Sequence, residues 1–406
     1  MNSRLILKVI ALILVSNFIF SSEFIVRNAK VHSSSLKDLE GADLHIKDGK
    51  FLAIEKELII TGLREINANG RYLTPGLLSP LNHIGLVEIE LESDTRDDNS
   101  KFYSAGLGIS EAFNPSSTLV PYNLSGGITT SLSSPAYNKT LYAGLISAFY
   151  LTGSLENSLI KKDIGLLAKI GAGEDSRAAS ILMLKDSFIQ AKKYKLNGKL
   201  KDHSKPHQLD FSERDIIAIT RVLNQEIPLV VNANRASDLL SLIDIANENK
   251  INLIISGAKE GWRVAEQLKN AKIPVIIQPI DNLPSSFDEI GATLENASLL
   301  YKSGVKILIS SHESHNAYLS RQGAGIAVAY GLPWSEAIDG LSKNIADSFG
   351  LESIGSIEIG KSADFIIWDK DPLEVSAFAE KIFIAGEEMS VLSRSSRLKD
   401  RYLRKQ

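Results

Sequence analysis

Between residues 225 and 312 the chain repeats one unit: a short apolar run, a polar turn, then a segment of helical periodicity. The runs Pro228–Val231, Leu253–Ile255, Ile273–Ile277 and Val305–Ile309 are continuous rather than alternating. A strand with one wet face alternates apolar and polar residues, whereas a parallel strand covered by helices on both faces does not. The runs therefore predict a buried parallel sheet. Helix starts fall between them: Ser212 with Asp215 and Ser286 with Glu289 have the spacing at which side chains satisfy free N–H groups of a first helical turn. Ile128–Leu132 and Leu145–Tyr150 read as earlier strands of the same series. Strand–helix alternation on this scale leaves two architectures, the closed (β/α)8 barrel and the open doubly wound sheet.

The two ends of the chain differ from its middle. Phe24–Val31, Ala42–Lys47 and Phe51–Ile54 are strand-like runs separated by turn residues, and Ala363–Trp368 with Lys381–Ile384 repeat that pattern near the C-terminus. Distant ends of the same character predict one small composite β-sandwich domain built from residues 23–74 and 351–390, beside a barrel at 75–350. Residues 391–406 form a basic tail, with six basic side chains and one acid from Arg394 onward, read as solvated.

Composition excludes several functions. With no Cys in 406 residues there is no disulfide framework, thiolate metal site or cysteine nucleophile. A formal charge of -3 supplies no basic footprint for nucleic acid. Residues 1–22 carry Arg4 and Lys8, an apolar run from Val9 to Phe20 and then Ser21-Ser22, the layout of a secretory signal peptide. That run is shorter than the ~20 residues a membrane-spanning helix needs. The expectation is an exported, periplasmic protein with no stable membrane span after cleavage.

Three segments carry a family resemblance. Asp48-Gly49-Lys50, the stretch from Ala68 to Leu77 with its Leu73-Thr74-Pro75-Gly76 turn, and the closing stretch from Gly355 to Phe365 with Asp371-Pro372-Leu373 resemble the amidohydrolase superfamily, and within it the imidazolonepropionase-like group. The resemblance covers nearly the whole mature chain. It implies the barrel rather than the doubly wound sheet, and hydrolysis of non-peptide C–N bonds in amides by zinc or another divalent metal that activates water. Its ligands are expected at the C-terminal ends of the barrel strands.

Residue by residue, those ligands are replaced. Where the family pattern runs Asp-x-His-x-His, this chain has Ser79-Pro80-Leu81-Asn82-His83. The fifth-strand pattern becomes Asn232-Ala233-Asn234-Arg235-Ala236-Ser237-Asp238, with Asn at both His positions. The sixth-strand His aligns with Ser256, followed closely by Glu260, and the final-strand Asp aligns with His312. Neutral amides and hydroxyls are weak zinc ligands compared with imidazole and carboxylate. Lys161, Lys162 and Lys169 occupy the part of the chain where a bridging lysine carboxylate would come, and each reads as a solvated surface residue.

Two functional readings follow. In the first, the barrel keeps its pocket without metal hydrolysis and binds a small polar amide-like ligand or a partner through Asn232, Asn234, Arg235, Ser256 and Glu260. In the second, His83 and His312 meet across the neighbouring first and last strands, with Glu313 or Glu88 nearby, and act as metal ligands or as a catalytic acid–base pair. His315 joins them only if a helix begins there. His32 and His45 fall in the small β domain and His203 and His207 in a Lys-rich loop; none of these four is expected at the site. Gly323-Ala324-Gly325 lacks the third Gly of a dinucleotide site.

Overall fold

The computed structural model describes residues 23–33, 38–137, 140–171, 176–197, 211–281 and 283–403. The expected signal segment, His203 and His207 lie outside these residues. Five strands open the described chain: β1 (Phe24–Val31), β2 (Leu39–Lys47), β3 (Lys50–Lys56), β4 (Arg64–Asn67) and β5 (Tyr72–Pro75). Eight more follow: β6 (Leu77–Asn82), β7 (Ile128–Ser133), β8 (Tyr142–Tyr150), β9 (Leu159–Lys169), β10 (Leu229–Ala233), β11 (Leu253–Gly257), β12 (Val275–Ile277) and β13 (Ile307–Ile309). The last three are β14 (Phe365–Trp368), β15 (Ala379–Ile384) and β16 (Glu387–Met389).

Both ends of the chain share one sheet, in the order β16-β15-β14-β5-β1-β2-β3 with β4 beside β1. The junction is the antiparallel pairing of β5 with β14, in which Thr74 faces Ile366. The alternation of β14 divides its side chains: Phe365 and Ile367 join Phe24, Leu44 and Phe383 in the small domain's core, while Ile366 and Trp368 join the core of the barrel. Phe365 stacks on Phe383 with centroids 4.4 Å apart. The Trp368 indole donates to Thr74 Oγ1 at 2.8 Å, and the Arg321 guanidinium lies 5.0 Å from its ring centroid.

The second sheet runs β6-β7-β8-β9-β10-β11-β12-β13, a nearly closed eight-stranded barrel. Its seam between β6 and β13 is bridged by side chains and helices. Ser310 Oγ donates to the Pro80 carbonyl at 2.8 Å, Leu78 N to Leu341 O at 2.8 Å, and Asn344 Nδ2 to Ile307 O at 3.0 Å. The strands of the sequence repeat, β10 to β13, pair in parallel throughout. Their alternation sorts side chains into two layers: Leu229, Val231, Ile255 and Ile277 pack outward with the helices, while Val230, Ile254, Ile276 and Leu308 fill the lumen with Phe349 and Ile345.

One part departs from strict strand–helix alternation. β8 is antiparallel to both β7 and β9, and no helix separates these three strands. The connections, residues 134–141 and 151–158, are too short for the crossover of about a dozen residues that a parallel return requires, so the chain reverses instead. In place of helices, residues 105–113 cover β8. Leu145 N donates to Leu107 O at 2.8 Å, and Phe113 stacks on Phe149 at 3.9 Å.

The described helices are α1 (Leu119–Ser125), α2 (Arg177–Asn197), α3 (Glu213–Leu223), α4 (Ala236–Asn249), α5 (Ala265–Asn270), α6 (Asn296–Lys302), α7 (Leu319–Ala329), α8 (Trp334–Gly340), α9 (Lys343–Ser348) and α10 (Arg394–Leu403). α3 begins with the expected capping box: Ser212 Oγ accepts from Asp215 N at 3.2 Å, and Asp215 Oδ2 accepts from Ser212 N at 2.9 Å. At Ser286 the expected helix is a single 3-10 turn, Phe287–Glu289, because Glu289 turns back to Ser285, whose N and Oγ lie 3.0 and 2.6 Å from its Oε2. The basic tail forms α10, which has no buried residue.

Candidate functional site at the barrel mouth

The lumen layer dictates what comes next along each strand. Two residues beyond Leu167, Val230, Ile254 and Ile276, on the same face, stand Lys169, Asn232, Ser256 and Gln278. The register makes three of these direct neighbours, because Asn232 pairs with Lys169 on one side and Ser256 on the other. The apolar barrel core thus ends in a polar layer at the C-terminal ends of its strands.

Above this layer lies a pocket of about 660 Å3, lined by Lys169, Asn232, Asn234, Gly257, Lys259 and Gln278 and by the loop after β12 from Ile280 to Glu289. Asn232 and Asn234 therefore both reach the pocket. Asn234 Nδ2 donates to Glu289 Oε1 at 3.0 Å, while its Oδ1 is buried without a partner among the described residues. Glu260 acts structurally, since its two carboxylate oxygens accept from Ala236 N at 3.0 Å and Gly291 N at 2.9 Å and tie the start of α4 to the loop before α6. Arg235 caps α4 from an exposed position and does not line the pocket.

His312 follows β13 in the left-handed region, at φ 55°. That conformation is uncommon for a side chain with a Cβ and persists where surroundings hold it. Here both ring nitrogens are held. The Gln278 amide donates to Nδ1, which leaves the ring proton on Nε2, 3.1 Å from Ser256 Oγ. Burial, with smaller contributions from His83 and Lys259, pushes its pKa down to about 4, so the ring is neutral at pH 7.

His83 stands across the seam at the end of β6. Its backbone N–H donates to Ser314 Oγ at 2.9 Å, and its Nδ1 donates to the Ser134 carbonyl at 2.8 Å, with Asp98 Oδ2 at 3.5 Å. Asp98 is fully buried and is held by Arg96 at 2.6 Å and Asn99 at 3.0 Å. Asn82 is saturated by Ser79, Ile84 and Ser131. Leu81 is buried in the lumen core. Glu88 turns away to Asn114 and Ser117, and the His315 ring packs 5.2 Å from that of Tyr122 in a turn before α7 rather than in a helix.

Sequence reasoning passed over Gln278, Lys259 and Asp98, and read Lys169 as a solvated surface residue although it lines the pocket. The signal for Lys169 is its place two residues past a lumen leucine. Lys161 and Lys162 are exposed, and Lys161 donates to Gly350 O at 3.1 Å.

Comparison with known proteins finds similarity to amidohydrolases. A model of the Amidohydrolase family matches residues 235–393. An amidohydrolase from Thermotoga maritima MSB8 is 25% identical, with a TM-score of 0.80 over 91% of this chain and 100% of its own. Over residues 235–393 the chain thus matches the amidohydrolase family model, and its fold is similar to that of a solved amidohydrolase. Amidohydrolase tasK of Hapsidospora irregularis is 26% identical over 175 residues, 42% of this chain but 18% of that protein. A β-aspartyl dipeptidase from Fervidobacterium islandicum AW-1, crystallised with β-Asp-Leu dipeptide, shares the fold at 16% identity and a TM-score of 0.51, over 92% of this chain.

The donor set at this barrel mouth does not fit a divalent metal centre. Among the described residues no three His, Cys, Asp or Glu side chains stand close enough to hold one ion. The positions that the resemblance assigns to ligands carry Ser79, Leu81, Asn232, Asn234 and Ser256. Both ring nitrogens of His312 are committed to Gln278 and Ser256, so His83 Nε2 is the one imidazole lone pair left at these positions.

Proposed function

We propose that this amidohydrolase-superfamily chain is an exported, imidazolonepropionase-like member that has given up metal-dependent hydrolysis and uses its barrel mouth to bind a small polar ligand. The observation that carries the reading is the polar layer itself: Lys169, Asn232, Ser256 and Gln278 at the strand ends, with His312 neutral and locked between two of them. Amide, hydroxyl and ammonium groups recognise polar ligands well and hold catalytic zinc poorly. Export rests on the N-terminal pattern of Arg4, Lys8 and the apolar run to Phe20. The subgroup rests on the Pro75-Gly76 turn and the closing motif around Asp364.

A second reading draws on His83. With Nδ1–H directed to the Ser134 carbonyl and Asp98 behind it, Nε2 is left as an oriented base at the mouth. It would serve an amide hydrolysis in which His83 takes the proton from water.

Elemental analysis of the mature protein, purified without chelator or affinity metal, separates the two. The binding role predicts zinc, iron and manganese far below one equivalent and no change in the His83→Ala variant. Near-stoichiometric metal that disappears in that variant refutes it. Metal-free turnover of amide substrates that is lost in the variant establishes the second reading.

A further inference from the structure

The superfamily pattern surrounds cations with carboxylates and imidazoles; this site has replaced those groups and carries two amines. Lys169 and Lys259 both line the mouth pocket, and neither forms an ion pair among the described residues. Lys259, which is buried, donates to the backbone carbonyl of Asp281, and Lys169 Nζ lies 5.8 Å from the centroid of the Tyr137 ring. Acidic groups of the same pocket have other partners. Glu289 accepts from Ser285 and Asn234, Asp288 pairs with Arg177, and Asp281 sits exposed at the rim.

One polar atom of the pocket lining, Asn234 Oδ1, is buried with no partner among the described residues. A buried polar group left unpaired costs roughly 1–3 kcal/mol, so such atoms point to a partner that binds. Two ammonium groups suit an anionic oxygen, and the amide oxygen of Asn234 suits an N–H. The same pocket is also lined by the apolar side chains of Ile170, Ile280, Leu283 and Pro284.

We propose, resting on the binding role above, that the mouth takes a small carboxylate with an apolar body, its anionic oxygens set against Lys169 and Lys259. The molecule has turned a cation-holding mouth into an anion-holding one. The apolar lining and the two amines favour a singly charged organic acid over phosphate.

The test is calorimetric titration of the mature full chain, at pH 7 and low salt, with N-acetyl-L-leucine, its uncharged analogue N-acetyl-L-leucinamide, and inorganic phosphate. Charge-assisted hydrogen bonds distinguish the first two, so the acid should bind at least about tenfold more tightly than the amide. Lys169→Met, at an exposed position, should abolish that preference without moving the melting temperature. Equal affinity for acid and amide, a preference that survives in Lys169→Met, tighter binding of phosphate, or binding of none of the three overturns the assignment. Amide bound as well as acid sinks the carboxylate and leaves the binding role standing, whereas near-stoichiometric zinc sinks the binding role itself.

Discussion

Gly127 sits where the barrel meets the composite domain, and replacing it with Ala tests that joint. It stands between α1 and β7 at φ 100°, and its carbonyl accepts from Leu77 N at 3.2 Å. A Cβ there would lie 2.5 Å from Trp368 Cη2 and 3.3 Å from Ile366 Cδ1. Trp368 cannot withdraw, since it is fully buried, its indole N–H is bonded to Thr74, and Arg321 lies against its ring. Placing an L-residue in left-handed backbone costs roughly 1–2 kcal/mol, and an extra methyl in a packed core adds about 1–3 kcal/mol. Gly70→Ala is the control, because Gly70 also has a positive φ, 72°, but has nothing within 4 Å of the added Cβ. Urea unfolding followed by tryptophan fluorescence should show both variants destabilised, with Gly127→Ala worse by about 1–3 kcal/mol. If the two variants lose the same stability, Trp368 is not the rigid joint described here.

Three other outcomes are expected. His32 links the domains through Asp38 Oδ1 at 2.7 Å and Asp339 Oδ1 at 3.1 Å; burial alone would lower its pKa, but these carboxylates outweigh it and hold the value above 6.5. A raised folded pKa gives stability that is present in full below pH 6.5 and lost as pH rises through the folded value. Melting temperatures from about pH 6 to about pH 9 should therefore decline less steeply in His32→Gln than in the parent, and parallel curves would contradict the ion pairing. Ser212→Ala should cost about 1 kcal/mol in urea unfolding through loss of the capping box of α3, and an unchanged midpoint would show the cap to be idle. Asp98→Asn removes the buried partner of Arg96 and frees the loop around His83; hydrogen exchange should quicken at Leu86 and Asp97, whose backbones are joined at 2.8 Å, while exchange in β10 and β11 stays slow.

Which parts of this architecture could be read from sequence follows from where each strand is buried. β10 to β13 are covered on both faces, so their apolar runs announce a parallel sheet, and the Asn and Ser residues that close those runs announce an altered mouth. β8 carries an equally apolar run, Tyr142–Tyr150, but burial says nothing about direction, and its reversal depends on loop length. Lys169 reads as a solvated surface residue because β9 begins as an exposed strand with Lys161 and Lys162 on it, and only pairing with Asn232 shows that its far end enters the mouth. Asp98 closes a run of acids, Glu88, Glu90, Glu92, Asp94 and Asp97, in which nothing marks it out for burial. Its carboxylate pairs locally with Arg96 and reaches back across the loop to His83 at 3.5 Å, and that second contact is one that residue spacing does not encode.

The reversed strand also bears on how the molecule assembles. Parallel neighbours such as β10 and β11 can pair only after a helix has formed and carried the chain back, which delays their contacts. β7, β8 and β9 need no such relay, since two eight-residue loops let them zip as a meander from contacts close in sequence. That meander, with residues 105–113 laid across it, is the stretch of the barrel whose pairing asks least loop closure from the chain.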